Sequence, residues 1–549
     1  MVPSGPPLMV TTSATPPMIA RAATPSVSTA RPSWRWIVPA LALLAGALGL
    51  RLVLWDRAVG FEQGDPLEYV NIAYKLAFGI GIEWWDLRPL LLSLLYVPVL
   101  YVAQWWPDPT GEAMVRALRL VNVLFGVGVV GLTYLLGRRL GGELVGLGAG
   151  LLVAVNPVVN RMSVSTYAEV PSTFFILLSL WLLVRALDAE GRPARLLAIS
   201  AGLAIGLGCM IRYQAIFYLP PVGLWVAIVA LVRAQGGPVD RLRAIFDVRT
   251  WPGVLTLGFG SGLLLAILLQ GGIELLAYGR PFHSLLVSFE YNVTSGLAPV
   301  EFGEEPFDWF FRQVPSWLGL MTAALAVVGL VAVVRGPATA GWRLVALTGL
   351  TMLLALSALP HKEERFMSQV VPLLALLAAR GAGVVGEVGG WAWELRAESS
   401  KLMAKQTAGH VGRVVMTTVP ILGCAAPMVF ASLNLDLESN VGYVLGVKRA
   451  AELRPGSTLG TIPWLVARPY AGTRLTLERM DRNVWSRRDE VARTIEQSDF
   501  LLFPEYWLLE DREIDRLVDA QFRSIDAYED GVVLYQSRRL EEPNRRRSR

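Results

Sequence analysis

The feature that most constrains this chain is a succession of long apolar runs, several of them about 18 residues long or longer. Only helices and closed barrels can satisfy their backbone groups inside a bilayer, and a spanning helix needs about 20 apolar residues. The chain has 549 residues, of which 53% are hydrophobic and 17% charged, and its mean hydropathy is +0.46. This composition excludes a soluble protein and predicts an all-α polytopic membrane protein.

The placement of arginine and lysine orients these runs, because short cytoplasmic loops carry an excess of both residues. Arg21, Arg31 and Arg35 precede or open the first run, so we expect a cytoplasmic N-terminus. The run 89–106 fits only as a helix in the outer interface, since a span there would put every later basic loop outside. About eleven spans follow from this orientation, at 34–55, 115–136, 144–159, 170–184, 196–210, 216–232, 254–276, 317–334, 344–359, 367–385 and 414–432.

Charge and cysteine usage exclude two other classes of protein. The net charge of +5 comes from basic residues in short loops, which is an orientation signal and not a nucleic-acid surface. Cys209 and Cys424 both lie in apolar runs, so they imply neither a disulfide framework nor a metal site. We therefore expect membrane lipids and no nucleic acid as partners, while the oligomeric state stays open.

Composition also divides the chain into four segments. Residues 1–33 are rich in proline, serine, threonine and alanine, which predicts a disordered tail ahead of the membrane core at 34–433. Helix-like segments at 441–453, 488–497 and 511–521 then alternate with strand-like segments at 458–462, 500–503 and 531–535. This alternation predicts a small α/β domain over 434–538 on the outer face. A charged tail follows at 539–549.

The loop at 360–366, which reads PHKEERF, places five titratable side chains between two apolar runs. Charged groups at a membrane boundary cost several kcal/mol unless they face water or a partner, so they often mark a site. The alternative is a short polar loop that joins two helices. Four other loops with polar or aromatic residues share the predicted outer face, namely 56–88, 160–169, 212–214 and 278–315.

HKEERF resembles the signature of the endoplasmic-reticulum mannosyltransferases that build N-glycans and GPI anchors from dolichyl-phosphate-mannose. Those enzymes are multispanning glycosyltransferases of the GT-C superfamily. A second block supports the resemblance, with YGRP at 278–281, FEYN at 289–292 and PFDWFF at 306–311. The resemblance covers about 36–385 and implies a GT-C core that transfers a hexose, mannose above all, from a polyprenyl-phosphate donor to an acceptor outside the cytoplasm, with inversion.

Three acidic residues are candidates for catalysis. Asp65, in GDPLE, stands where GT-C enzymes carry a general base, and an inverting transfer needs one carboxylate to deprotonate the acceptor hydroxyl. The alternative is that Asp65 caps the helix that begins at Pro66. Glu68, one turn further on, is the reserve candidate. Glu169, in YAEVP, is either a second catalytic acid or a helix N-terminal acid favoured by the macrodipole.

The HKEERF loop is expected to bind the donor. His361, Lys362 and Arg365 would neutralise the leaving phosphate, whose charge grows as the sugar–oxygen bond breaks. Glu364, or its neighbour Glu363, would orient these cations or the sugar hydroxyls.

Four residues outside this loop are further candidates for donor binding. Arg212 interrupts the positive-inside pattern, and a lipid phosphate would compensate it, although snorkelling to headgroups is the alternative. Arg88 is a second phosphate candidate by resemblance. Tyr291 and Asn292 belong to the aromatic block, whose rings would stack on sugars, line a prenyl groove or form an interfacial belt.

The resemblance implies a lipid donor and no obligatory metal or other cofactor, because the chain lacks an Asp-x-Asp motif. The first loop departs from the family pattern, since Asp65-Pro66 replaces the usual acidic pair, and this leaves sugar and acceptor open.

Alternatives to this function are a protein O-mannosyl-, aminoarabinosyl- or arabinosyltransferase of the same superfamily, an inactive scaffold, or a lipid-linked sugar flippase or transporter. Transporters place ionisable residues at mid-membrane, whereas here they gather at one face. We expect the cell membrane as location, with the site and the C-terminal domain outside.

Overall fold

The computed structural model describes residues 34–60, 64–79, 86–105, 111–295, 303–400, 405–462, 464–472, 474–480, 488–505, 507 and 512–540. The predicted disordered tail at 1–33, position 106 at the end of the interfacial run, and 541–549 of the charged tail lie outside these residues.

The membrane core is a bundle of long apolar helices. Nine helices of the described residues are long and apolar enough to cross a bilayer, and two bent pairs raise the number to eleven, as predicted. The nine are Trp34–Arg57, Gly111–Gly141, Glu169–Ala186, Gly191–Ile211, Leu219–Arg233 with its preceding 3-10 turn Tyr213–Tyr218, Trp251–Tyr278, Ala340–Ala358, Val371–Ser400 and Lys405–Leu433.

The predicted span 144–159 is a broken helix. Its halves, Glu143–Ala154 and Pro157–Ser163, meet at an angle of 63°. Asn156 caps the second half, since its side-chain oxygen accepts a hydrogen bond from the Val159 amide at 3.1 Å. Pro157 opens the second half and has no backbone N–H with which to continue the first half. The position of the break therefore follows from the sequence.

The predicted span 317–334 is also bent, at a glycine. The helices Trp309–Leu318 and Leu320–Arg335 meet at 112° around Gly319. Gly319 has a φ of 76°, in a region that residues with a Cβ rarely adopt. The shorter elements of the core are the helices Pro238–Ala244 and His283–Phe289, the π turn Glu290–Thr294 and the 3-10 turn Glu364–Gln369.

Two helices outside the bundle follow the first span. Asp65–Phe78 is buried along most of its length, and Leu91–Ala103 packs beside it, with Ser93 donating to the Tyr69 carbonyl at 2.9 Å. Thirteen residues of helix extend about 20 Å, which is less than the ~30 Å hydrocarbon core. The helix of the run 89–106 is therefore too short to cross the bilayer by itself, which agrees with the predicted interfacial helix.

The C-terminal residues form an α/β domain. Strands β1 (Val59–Gly60) and β2 (Glu438–Ser439) pair in parallel and tie it to the loop that follows the first membrane helix. Five further strands are β3 (Thr458–Thr461), β4 (Thr476–Arg479), β5 (Phe500–Pro504), β6 (Phe522–Ala527) and β7 (Val532–Ser537). They form one sheet in the order β4-β3-β5-β7-β6, in which β3 runs parallel to β4 and β5, and β7 runs antiparallel to β5 and β6. The other elements of the domain are the helices Val441–Leu453, Trp464–Ala471, Arg488–Gln497 and Arg512–Gln521, and the turn Arg538–Leu540.

This domain packs directly on the helix Asp65–Phe78. The Tyr74 hydroxyl donates to the Pro469 carbonyl at 3.2 Å. Tyr69 also belongs to one apolar core with Tyr443 and Leu459 of the domain. The helix that begins at Asp65 is thus held between the membrane bundle and the C-terminal domain.

Candidate active site

Asp65 lies at the centre of a cluster of arginines. Its side chain is 7% exposed. Its carboxylate accepts a hydrogen bond from Arg212 Nη1 at 2.8 Å, lies 3.2 Å from Arg365 Nη1, and also accepts from Arg88. Gly64 occupies the N-cap position, so Asp65 is the first residue of the helix and not its cap, and the side-chain partners of Asp65 in the structure are arginines. The side chain is therefore committed to the arginines, and the capping alternative does not describe it.

Glu169 joins the same cluster from another helix. It is the first residue of Glu169–Ala186 and is completely buried. Its Oε1 lies 3.0 Å from Arg212 Nη2 and 3.6 Å from Arg365 Nε. Two carboxylates and two arginines thus converge from four separate segments, which lowers the cost of burying each charge.

Arg88 bridges Asp65 and Glu68 at the mouth of the cluster. Its side chain is 23% exposed and pairs with both carboxylates. Burial raises the pKa of Asp65, but the charges of Arg365, Arg88 and Arg212 together hold that pKa well below its usual range. For Glu68 burial is again the largest influence, and it raises the pKa despite Arg88. Asp65 is therefore the ionised member of the pair over the widest pH range.

The HKEERF segment contributes to the cluster through its second half. Glu363 Oε1 accepts a hydrogen bond from Arg365 and lies 2.8 Å from His361 Nε2. Phe366 is buried, and the guanidinium groups of Arg212 and Arg365 each lie 5.6 Å from its ring centre. The Glu363 carboxylate thus contacts both His361 and Arg365, while the ring of Phe366 lies beside the guanidinium groups of Arg365 and Arg212.

The lysine of this segment was predicted to bind the donor phosphate, but in the structure it donates hydrogen bonds to the backbone. Lys362 is buried, and its Nζ donates to the backbone carbonyls of Glu305, at 2.7 Å, and of Leu359. It thus joins the loop to the segment around 305. Glu364 is exposed.

A cleft of about 190 Å³ opens beside the cluster. One end is cationic and is formed by Arg88, Arg212 and His361. Asn292 also lines the cleft, and its amide donates to the Ser288 carbonyl at 2.8 Å, while Tyr291 lies on the same turn. The apolar walls come from Leu87, Ile216, Phe217, Leu285, Phe289, Val293 and Leu359.

A second pocket of about 170 Å³ has a mixed polar lining. Arg161, Tyr167, Glu363, Glu364 and Arg365 face it. The Arg365 guanidinium lies 4.9 Å from the ring centre of Tyr167. Sequence reasoning did not select Arg161 or Tyr167. The signal was available for the arginine, because it interrupts the positive-inside pattern as Arg212 does.

Metal binding has no obvious place in the described part of the chain. No group of three or more histidine, cysteine, aspartate or glutamate side chains is arranged there to hold a metal ion. That the reaction needs no metal stays a prediction.

The architecture is that of known membrane glycosyltransferases. The structure of ArnT from Cupriavidus metallidurans bound to undecaprenyl phosphate aligns with a TM-score of 0.60 at 13% identity, covering 92% of this chain and 98% of that one. The archaeal oligosaccharyltransferase AglB from Archaeoglobus fulgidus aligns with a TM-score of 0.57 at 11% identity, covering 92% of this chain and 75% of AglB. At these identities the likeness concerns the fold, and it defines an integral, multi-pass membrane protein with a GT-C glycosyltransferase fold.

The chain belongs to the Alg9-like mannosyltransferase family, whose family model matches residues 58–434. It is 22% identical over 341 residues to the alpha-1,2-mannosyltransferase algn-9 of Caenorhabditis elegans, a match that covers 57% of this chain and 51% of that protein. It is 31% identical over 194 residues to the undecaprenyl phosphate-alpha-4-amino-4-deoxy-L-arabinose arabinosyl transferase of Pseudomonas aeruginosa (strain LESB58), covering 33% and 34%. The chain thus matches about half of the first relative's length and a third of the second's.

Proposed function

We propose that this enzyme moves a hexose, mannose above all, from a polyprenyl-phosphate donor to a hydroxyl of an extracytoplasmic glycan, lipid or protein, with inversion. One observation carries the proposal: the cationic end of an apolar-walled cleft is built from the arginines that contact Asp65. A polyprenyl phosphate has the matching chemistry, with an anionic head and an apolar tail.

Arg88 and Arg212 would bind the donor phosphate, with the imidazole of His361 at the same end of the cleft. Their guanidinium groups suit a phosphate because they offer paired donors in a fixed geometry. Arg365 contacts Asp65 and faces the second pocket, so its role would be to position the base.

Asp65 would act as the general base. Its carboxylate takes the proton of the acceptor hydroxyl while that oxygen bonds to the anomeric carbon. The bond from this carbon to the phosphate oxygen breaks, and its electron pair leaves with the polyprenyl phosphate. The growing charge on the leaving group is stabilised by the arginines at the end of the cleft.

The shared arginines also adjust the basicity of Asp65. Paired with three guanidinium groups, the carboxylate has a lowered pKa and is a weak base. A phosphate bound to Arg88 and Arg212 would compete for the same groups and raise the pKa of Asp65. The base would therefore become active when the donor is in place.

A second candidate donor carries aminoarabinose. The observation in its favour is the 31% identity to the Pseudomonas aeruginosa arabinosyl transferase over 194 residues. The cleft suits either donor, because it would hold the phosphate and the lipid and not the sugar.

The deciding experiment offers the purified protein in detergent three donors with the same short prenyl chain, carrying mannose, glucose or aminoarabinose. Release of polyprenyl phosphate is followed for each. Release from the mannosyl donor alone supports the proposal. Release from the aminoarabinosyl donor alone would show that the transferred sugar is aminoarabinose and not mannose. Absence of release from all three, measured with a mixed pool of candidate acceptors, would overturn the proposed donor class.

A further inference from the structure

We propose that Glu274 is a positioning residue that fixes the two walls of the cleft relative to each other and thereby sets affinity for the donor's prenyl chain. This inference rests on the proposed function, because it assigns the cleft to a prenyl lipid. Glu274 lies one turn before the end of the helix Trp251–Tyr278 and is completely buried.

Four hydrogen bonds connect Glu274 to its neighbours. Its Oε1 accepts from the Tyr213 hydroxyl at 2.9 Å, from Gln270 and from the Ser284 hydroxyl. Its Oε2 accepts from the Ser284 backbone amide at 3.0 Å. All four donors are neutral, so Glu274 acts here as a hydrogen-bond acceptor. The donors belong to its own helix, to the turn Tyr213–Tyr218 and to the helix His283–Phe289.

These partners belong to two segments that line the cleft. Tyr213 opens the 3-10 turn that carries Ile216 and Phe217, apolar residues of one wall. Ser284 is the second residue of the helix His283–Phe289, which continues into the π turn that carries Val293 of another wall. One carboxylate therefore sets the distance between the two surfaces that a lipid tail would contact.

The second wall begins at a strained turn that needs such an anchor. Phe282, directly before this helix, has a φ of 57°, a left-handed conformation unfavourable for a residue with a Cβ. Its ring packs against Gly271, where an added Cβ would come within 2.8 Å of the ring. A strained residue persists only when its surroundings hold it in place. Ser284, two residues after Phe282, is held by its hydrogen bonds to Glu274.

The test replaces Glu274 by glutamine, which has the same size. An amide offers one acceptor oxygen in place of two and adds two donors, so it cannot accept all four hydrogen bonds. For an undecaprenyl-phosphate donor we expect KM to rise about tenfold with kcat within about twofold. For a donor with a short farnesyl chain, KM should rise less, because fewer wall contacts are at stake.

Glu143→Gln is the matched control. Glu143 is also an acid at a helix end that accepts from a tyrosine, Tyr134 at 2.9 Å, but it contributes nothing to the cleft lining. Its replacement should leave both KM values unchanged. Ser284→Ala is the second variant, which removes one donor and should shift KM in the same direction; it also keeps the proposal testable if Glu274→Gln does not fold.

Several outcomes would overturn the inference. They are an unchanged KM in both variants, an equal rise for both chain lengths, or a loss confined to kcat. Failure of the proposed function is distinguishable, since the wild-type protein would then neither release polyprenyl phosphate nor gain thermal stability on addition of undecaprenyl phosphate.

Discussion

Asp65 is surrounded by three guanidinium groups, and this sets what its replacement should do. In Asp65→Asn the side chain keeps its size but cannot accept a proton, so turnover should fall at least about 10²-fold. Binding of the donor should persist, because Arg88 and Arg212 lose a competitor for the phosphate. Release of polyprenyl phosphate measures the first effect, and the thermal shift on adding polyprenyl phosphate measures the second.

Glu68→Gln is the control for this variant, since Glu68 lies one turn away on the same helix and also pairs with Arg88. It should retain turnover within about tenfold of wild type, because it loses only an ion pair at the mouth of the cluster. Full turnover in Asp65→Asn would show that Asp65 only anchors the arginines.

Arg88 offers a test of the phosphate site with less risk to the fold, because it is the most exposed of the three arginines around Asp65. Arg88→Lys keeps the charge and loses the planar pair of donors, so the donor KM should rise about tenfold while kcat changes less. Arg116→Lys is the control, because Arg116 pairs with the exposed Asp56 outside the cleft. Equal donor KM values in Arg88→Lys and Arg116→Lys would show that Arg88 does not bind the phosphate.

At this scale the sequence selected several residues that the structure brings together, but it did not predict how they pair. It selected Asp65, Glu169, Arg212 and Arg365 individually, yet the contact between Asp65 and Arg212 joins residues 147 positions apart. Such a pair depends on how the helices pack, which local patterns do not encode. The same applies to Lys362, which has the charge of a phosphate ligand but donates to two backbone carbonyls.

At the scale of elements, Asn156 connects the two broken spans. Besides capping its own helix, it donates to the Trp317 carbonyl at 2.9 Å, beside the second bend. Asn156→Ala should lose about 1 kcal/mol from the cap and about 1–3 kcal/mol from the buried carbonyl left without its donor. A lowered midpoint of thermal unfolding in detergent would measure this loss.

Thr250→Ala provides the comparison, because Thr250 caps Trp251–Tyr278 at a partly exposed position, where water can replace the lost contacts. Its unfolding midpoint should fall by less than that of Asn156→Ala. Equal shifts would mean that the contact with Trp317 contributes nothing beyond the cap.

The elements that sequence analysis missed have local sequences that do not favour the structure they adopt. The strands β4 and β6 lie at the two edges of the sheet, where side chains face water and the hydrophobic alternation is weak. The helix Trp464–Ala471 contains Pro469, which argues against a helix locally. By contrast, Val441–Leu453 and Arg488–Gln497 have the predicted bounds, since clear turn signals or a regular apolar spacing delimit them.

For the whole molecule, the open question is which side of the membrane carries the site. The basic residues predict that the loop around Glu190 lies in the cytoplasm and the C-terminal domain outside. The native cysteines do not interfere with labelling, because Cys209 and Cys424 both lie within helices of the bundle. Single cysteines introduced at Glu190 and at Glu529, both exposed, therefore report on the two sides.

An impermeant maleimide applied to intact cells should label Glu529→Cys and spare Glu190→Cys until the membrane is opened. This result would place Asp65 outside as well, because its helix packs on the domain that contains Glu529 through Tyr74 and Pro469. The inverse pattern would put Asp65 and the cleft in the cytoplasm. The acceptor would then have to be cytoplasmic too, and the proposed extracytoplasmic transfer would be wrong even if the chemistry at Asp65 were right.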